Sequence, residues 1–181
     1  MVSIHRYIAC VAVLGTGCAA SAGVISGSQT FYNMSSSNKT YTYYQYAPIS
    51  GDSGGNLMSG SITTTLTDLN GNGAVLSSDP AGHAIYTATI NDIAVQTLWN
   101  SQFGFSVGQF LSGATVPAMF ANVPLPSNVP PDGNAGVVLR FTLSAGDAVS
   151  FAYTFNVVPG PSAIAMLACA GRLTNNRRRK L

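Results

Sequence analysis

Strict alternation of apolar and polar side chains near the end of the chain constrains the fold more than any other feature. Apolar residues occupy every second position in residues 137–143 and again in 149–157, and a short Ser-Ala-Gly-Asp-Ala segment separates the two runs. Successive side chains of a β-strand point to opposite faces, so a period of two predicts two strands that each bury one face. We predict that these strands pair as an antiparallel hairpin.

Further strands are predicted in the middle of the chain. Residues 84–90 and 93–99 form a second predicted hairpin, because Asn91 and Asp92 between them tolerate the positive φ that a tight turn requires. The prolines within residues 123–132 predict an irregular loop. Weaker strand patterns cover residues 41–46, 59–69 and 103–110.

The composition supports an all-β fold. Only 8% of the residues are charged and none of them is Glu, whereas Asp, the acidic residue that is present, is poorly suited to helix interiors. A helical bundle is therefore excluded. We predict one antiparallel β-sandwich, of the jelly-roll or immunoglobulin-like type, over residues 23–157, with a closed barrel as the alternative. An N-terminal signal helix and a short C-terminal hydrophobic helix would flank it.

Charge is segregated between the ends and the middle of the chain. Six of the eight basic residues lie in the first 22 residues or in the last 10, which leaves Lys39 and Arg140 against six Asp and a net charge of 2 − 6 = −4 in the middle. The middle therefore has no basic surface that could neutralise phosphates, and we expect no nucleic-acid partner. It also contains no cysteine, which excludes an internal disulfide and a thiolate metal site there.

Residues 1–22 have the features of a secretory signal. Arg6 precedes an apolar stretch, and Ala20 and Ala22 supply the small side chains that signal peptidase requires. We predict cleavage after Ala22 and export of the remaining chain. The alternative is a lipoprotein leader that is acylated at Cys18.

Residues 158–181 contain three parts in order: a Pro-Gly-Pro motif, an apolar segment at residues 163–171 and a basic cluster. Proline blocks continuation of regular structure, and the positive-inside rule would hold the cluster on the cytoplasmic side of a membrane. The tail is predicted to stall the chain in the membrane, and the alternative is a disordered basic tail. The motif residues are Pro159, Gly160 and Pro161, and the cluster consists of Arg177, Arg178, Arg179 and Lys180.

This tail resembles the C-terminal signal of PEP-CTERM sorting-domain proteins of bacteria, with Gly160 in place of the Glu of the family's Pro-Glu-Pro motif. The resemblance is limited to the tail, and it implies processing by an exosortase, a membrane transpeptidase-like enzyme. Together with signal peptidase at the other end, it implies a protein of the cell surface or extracellular matrix that is transiently anchored in the membrane. A structural or adhesive role is expected.

One loop has the ligand spacing of a calcium site. Asp68, Asn70, Asn72 and Asp79 occupy positions 1, 3, 5 and 12 of such a loop, and a glycine occupies position 6. Oxygen-rich side chains at this spacing suit calcium, which is the only cofactor that the sequence indicates. The alternative is that the two Asn-Gly pairs form a hairpin turn.

A tyrosine-rich strand is the candidate site for an extracellular polysaccharide. The pattern over residues 41–46 places rings on both faces of one strand, so that one face belongs to the core and the other is available for stacking on sugar rings. Tyr41 and Tyr43 are the predicted glycan contacts. A glycan-binding module, assisted by calcium, is the alternative function.

The segment Gly-Asp-Ser-Gly-Gly around Ser53 spells the nucleophile motif of chymotrypsin-like proteases. That family places its general-base histidine before the serine, yet the only earlier histidine is His5 in the predicted leader. We therefore predict no catalytic residues and no enzyme activity. A triad of another order, with Ser53, His83 and an Asp, is left open.

Overall fold

The computed structural model describes residues 23–49, 56–130 and 132–158, in which it contains eleven strands and no helix. The predicted signal helix and the predicted C-terminal hydrophobic helix both lie outside these residues. No helix that could span a bilayer occurs among the described residues. The strands are β1 (Gly23–Asn33), β2 (Lys39–Ile49), β3 (Leu57–Asp68), β4 (Ala74–Ser77), β5 (Tyr86–Ile90), β6 (Ile93–Leu98), β7 (Gly104–Val107), β8 (Ser112–Ala114), β9 (Ala118–Pro124), β10 (Gly133–Leu143) and β11 (Asp147–Val158).

The strands form two antiparallel sheets, which confirms the all-β prediction. In the first sheet β1, β11 and β3 lie side by side, and β9 and β8 pair one after the other with the remaining edge of β3. In the second sheet β10 is central and pairs along its whole length with β2. The other edge of β10 is shared by β5 and β4, which pair in turn with β6 and β7.

The two sheets share one hydrophobic core, as the layers of a β-sandwich do. Phe151 and Phe155 of the first sheet and Leu139 and Phe141 of the second are completely buried. The rings of Phe141 and Phe151 meet between the sheets, with centroids 4.8 Å apart. Aromatic pairs of this kind supply both buried area and a specific geometry, so they fix how the two sheets face each other.

The predicted hairpin of residues 137–143 and 149–157 is wrong. Strands β10 and β11 belong to different sheets, and the turn between them carries the chain across the core. Gly146 adopts a positive φ of 76° in this turn, and its N–H donates to the carbonyl of Asn33 at 2.7 Å. Alternation shows only that each strand buries one face, and it is the same for strands that pair side by side and for strands that face each other.

The second predicted hairpin is confirmed. Strands β5 and β6 pair in antiparallel fashion, and Asn91 and Asp92 between them adopt positive φ values of 50° and 63°. The irregular loop predicted over residues 123–132 is confirmed in part: Val123 and Pro124 belong to β9, whereas residues 125–130 and 132 belong to no strand. Strands β1, β4, β8 and β9 were not predicted; β4 and β8 have only four and three residues, and β1 is rich in small polar residues.

Candidate functional site

Several predicted site residues lie outside the described part of the chain, and their roles stay predictions. They include the predicted signal-cleavage site, the serine of the protease-like motif, the sorting motif and the basic cluster. These residues are Ala20, Ala22, Ser53, Pro159, Gly160, Pro161, Arg177, Arg178, Arg179 and Lys180.

Asp68 ends β3 at a corner where the chain passes from the first sheet to the second. Its side chain is buried, and its carboxylate accepts four backbone N–H groups at 2.7–3.2 Å. Burial alone would raise the pKa of Asp68, but these donors outweigh it and lower the pKa to about 2. The donors belong to Asn70, Gly71, Gly73 and Phe110.

Three of the four predicted calcium ligands, Asp68, Asn70 and Asp79, have hydrogen-bond partners within the protein. The N–H donors around Asp68 stabilise the negative charge of its own carboxylate and occupy lone pairs that a cation would need. Asn70 accepts the N–H of Asn72 and donates to the carbonyl of Ala145. Asp79 follows β4, whose four residues carry the chain about 13 Å onward. No group of three or more His, Cys, Asp or Glu residues that could hold a metal occurs in the described ranges.

The alternative to calcium, a hairpin turn between Asp68 and Ala74, is also not what forms. Strands β3 and β4 lie in different sheets, so the two Asn-Gly pairs make a corner. The positive φ values of Gly71 and Gly73 follow from that corner. An Asn-Gly pair indicates that the chain reverses its direction tightly. It does not indicate which strand β4 pairs with, because that depends on the rest of the fold.

A second buried carboxylate, Asp147, lies beside Asp68 as its register partner on β11. Its Oδ2 accepts the hydroxyl of Ser144, while its Oδ1 has no partner among the described residues. Burial raises the pKa of Asp147, and Asp68 raises it further, so that Ser144 only partly offsets them. The side-chain amide of Asn33 ties the corner together by donating to three carbonyls at 2.9 Å.

The sequence reasoning missed this cluster of Asn33, Asp68 and Asp147. The three residues come from three separate parts of the chain. They meet because β1 and β3 both pair with β11 at this end. The hydrogen bonds of Asn33, Asp68 and Asp147 are made within the corner, so we interpret the cluster as structural.

The structure places Tyr41 and Tyr43 on the inner face of β2, so the assignment of glycan contacts to them needs correction. Tyr41 stacks on Phe141 with centroids 5.3 Å apart, and Tyr43 lies 6.4 Å from the ring of Tyr153. Both rings pack against the core. The phase of the strand is set by its pairing with β10, whose inward residues Leu139 and Phe141 belong to the core. The tyrosine pattern alone does not fix this phase.

Tyr44 and Tyr46 are the tyrosines on the outer face of β2. Their rings are nearly parallel, with 9° between the planes and 6.3 Å between centroids. The hydroxyl of Tyr46 donates to Asp92 at 3.0 Å, and burial together with this carboxylate raises the pKa of Tyr46 to about 12. A Cβ on Gly136 would lie 2.8 Å from the Tyr46 ring, so a glycine is needed where the ring rests on β10.

Arg140 lies on the same outer face, half-buried on the central strand β10. Val138 and Thr87 also face outward here but are only 4% and 8% exposed, so neighbouring side chains cover them. This outer surface of the second sheet is called the tyrosine face below. It is formed by Thr42, Tyr44, Tyr46, Thr87, Thr89, Gly136, Val138 and Arg140.

An Asp-His pair lies in the segment between β4 and β5. The Nδ1 of His83 is 2.6 Å from the Oδ2 of Asp79, and the backbone N–H of His83 donates to Oδ1 at 2.8 Å. Burial alone would raise the pKa of Asp79, but the bonds from His83 lower it, and the charge of Arg140 contributes. Ser53, the third member of the open triad hypothesis, lies outside the described residues.

The outer surface of the first sheet differs in chemistry and is called the hydroxyl face below. Its outward positions on β1, β11 and β3 are mainly Ser and Thr, and none of those described is charged. The hydroxyls bond to one another across neighbouring strands at 2.7–2.8 Å. The bonded pairs are Thr30 with Ser150, Ser61 with Thr154, and Thr67 with Ser112.

No protein-family model matches the chain, and no curated protein matches its sequence.

Proposed function

We propose that this chain is an exported bacterial protein whose β-domain is delivered to the cell surface or extracellular matrix by a PEP-CTERM-like tail. Its role there is structural or adhesive and not enzymatic. The observation that carries the proposal is the order of the tail: a proline motif, an apolar segment and a basic cluster, in a chain that begins with a secretory signal pattern.

The positions of the two ends of the fold support this proposal. The described residues begin with β1 at Gly23 and end with β11 at Val158. Gly23 pairs with Val157, so the chain enters and leaves the fold at the same end of the first sheet. A tail held in a membrane would place the opposite end of β11 about 40 Å away from the point of attachment.

The surface chemistry supports the same role. On the hydroxyl face three pairs of Ser and Thr hydroxyls bond across neighbouring strands, and none of the described outward residues is charged, which suits a protein packed among hydrated polymers. As the finer architecture we propose a jelly-roll or immunoglobulin-like sandwich over residues 23–157. Support comes from the two facing sheets and from corners, as at Gly146, where the chain changes sheet.

The test is the intact mass of the full chain produced in its native host, measured separately for cell-associated and released protein. The wild type is compared with Pro159→Ala/Pro161→Ala, and with Pro130→Ala as the matched control on an exposed loop. We expect the wild type and the control to lose residues 1–22 and the tail beyond the proline motif. The double variant should lose only the leader.

Two outcomes would contradict the proposal. One is a tail that persists in every form of the wild type, and the other is processing of the double variant at the wild-type extent. Deletion of the host's exosortase gives a second readout, because it should reproduce the masses of the double variant without any change to the protein.

A further inference from the structure

The tyrosine face presents two rings in one orientation. Tyr44 and Tyr46 are separated by one residue on β2, and their planes differ by 9°. An extended ligand that runs along β2 therefore meets both rings in the same orientation, one strand repeat apart. The ring of Tyr46 is held in place, because its hydroxyl is bonded to Asp92 and its edge rests on Gly136. Little side-chain entropy would be lost when a ligand binds to it.

The same face carries a cation that makes no ion pair with the described residues. Lys39 and Arg140 are the only Lys and Arg residues of the described part, and Lys39 lies over the ring of Tyr41. Arg140 makes no ion pair with a described residue, since the single ion pair found there joins His83 to Asp79. A half-buried guanidinium without a carboxylate is unusual in a domain whose net charge is negative. Its planar set of donors matches a carboxylate in a bidentate geometry.

The acidic groups near this face are already engaged. Asp79 is bonded through both oxygens to His83, and Asp92 accepts the hydroxyl of Tyr46. Neither lies within ion-pair distance of Arg140. A ligand carboxylate at Arg140 would therefore complete a pair that the described residues leave open.

We propose that the tyrosine face binds a polyuronate, an extended polysaccharide whose rings stack on Tyr44 and Tyr46 and whose carboxylates pair with Arg140. This deepens the proposed function and rests on it in one respect, because the domain must be exported to meet such a polymer. The two contacts have separate roles. The tyrosines contribute to the binding of any sugar chain that fits, and Arg140 selects the acidic one.

The test uses the purified full-length chain and two probes of equal length, a galacturonate oligosaccharide and its methyl-esterified form, with affinity measured by calorimetry. The esters remove the negative charges and keep the sugar rings. Three variants are compared with the wild type: Tyr44→Ala/Tyr46→Ala, Arg140→Gln and the control Tyr32→Ala. Tyr32 is a matched control, since it is 58% exposed on the outer face of the other sheet. Thermal unfolding establishes that each variant is folded.

We expect the wild type to bind the acidic probe about tenfold more tightly than the ester. Arg140→Gln should reduce the affinity for the acidic probe to that for the ester and leave the affinity for the ester unchanged. Tyr44→Ala/Tyr46→Ala should weaken the binding of both probes, and Tyr32→Ala should change neither. The proposal is overturned if the double tyrosine variant binds the acidic probe as the wild type does. Residues 177–180 of the basic tail would then account for that binding.

The two proposals fail in distinguishable ways. Unchanged binding by the double tyrosine variant refutes the polyuronate site and leaves the masses of the processed forms unaffected. A tail that is never removed refutes the sorting proposal, but it leaves the affinities of the purified chain for the two probes unchanged.

Discussion

The outer faces of the two sheets differ in how their polar groups are used. On the hydroxyl face, Ser and Thr side chains bond across neighbouring strands, as Ser61 does with Thr154 at 2.8 Å. On the tyrosine face, Arg140 makes no ion pair with a described residue. Among the described residues, buried polar atoms without a partner occur on both faces, at Thr89 and at Asn156. Both faces cover the same core, so the difference cannot be a demand of the fold.

This contrast separates stability from recognition. A buried or half-buried polar group that is bonded within the protein contributes to stability, and one that is left without a partner costs free energy unless a ligand completes it. The hydroxyl face should therefore influence unfolding and leave binding unchanged. The tyrosine face should influence binding with little effect on unfolding.

The largest effect is expected at the corner that supports both faces. Asp68→Asn replaces one carboxylate oxygen with an NH2 group, which cannot accept hydrogen bonds from the backbone N–H groups around it. The melting temperature should therefore fall by about 5–10 °C at neutral pH. Thermal unfolding followed by circular dichroism measures this. Asp132→Asn, at an exposed position, is the control and should melt like the wild type.

The effect of Asp68 should depend on pH in a defined direction. The pKa of Asp68 is about 2 in the folded chain against 3.8 for an ordinary Asp. A lowered folded pKa gives stability that is complete above the unfolded pKa and is lost as the pH falls. The difference between Asp68→Asn and the wild type should therefore shrink between about pH 4 and pH 2. A difference that is the same at both pH values would show that the charge of Asp68 is not what stabilises the corner.

Charge reversal on the tyrosine face should give the largest effect on binding. Arg140→Glu places a carboxylate against a uronate, so the affinity for the acidic probe should fall on the order of 100-fold. Calorimetric titration measures it, and Lys39→Glu at an exposed position is the control for the change in net charge. An equal loss in both variants would mean that net charge, and not the tyrosine face, determines binding.

A smaller effect, of opposite sign, is expected at the buried carboxyl next to Asp68. The pKa of Asp147 is raised, so its contribution to stability is present when it is protonated and is lost as the pH rises through the folded pKa. Asp147→Asn mimics the protonated form, and it should stabilise the chain by about 1 kcal/mol at pH 7. Urea unfolding at pH 7 and at pH 3.5 is the measurement. A gain that persists undiminished at the lower pH would contradict this.

The smallest effect is expected on the hydroxyl face. Ser61→Ala with Thr154→Val removes both members of one bonded pair, so no hydroxyl of this pair is left without a partner, and the free energy of unfolding should change by less than about 1 kcal/mol. Binding of the acidic probe should be identical to that of the wild type. A loss of binding in this variant would remove the distinction between the two faces.

Local pattern was sufficient for part of the fold. The Asn91-Asp92 turn and the strands of its hairpin followed from sequence, because a two-residue turn and its flanking strands are determined by neighbouring residues. The strands that pair with β10 could not be predicted from neighbouring residues in this way. A strand that faces its sequence neighbour across a core has the same alternation as one that pairs with it, and the turn at Gly146 fits both arrangements.

The sequence predicted the strand that carries the candidate site, but it did not predict which face of that strand the site occupies. The tyrosines of residues 41–46 indicated β2, yet which of them point inward depends on the register with β10. Arg140 is a single polar residue in an apolar run, and its position beside the rings required that register as well. The calcium spacing at Asp68 failed to indicate the true contacts, because backbone N–H groups, which have no sequence signature, surround that carboxylate.

The most direct test of the distinction between the two faces is a chemical-shift map of the ¹⁵N-labelled wild-type chain during titration with the galacturonate oligosaccharide. We expect the perturbed amides to cluster in residues 42–46, 87–89 and 136–140, with the first sheet unaffected. Perturbations confined to the hydroxyl face, or to residues 177–180 of the tail, would contradict the assignment of recognition to the tyrosine face.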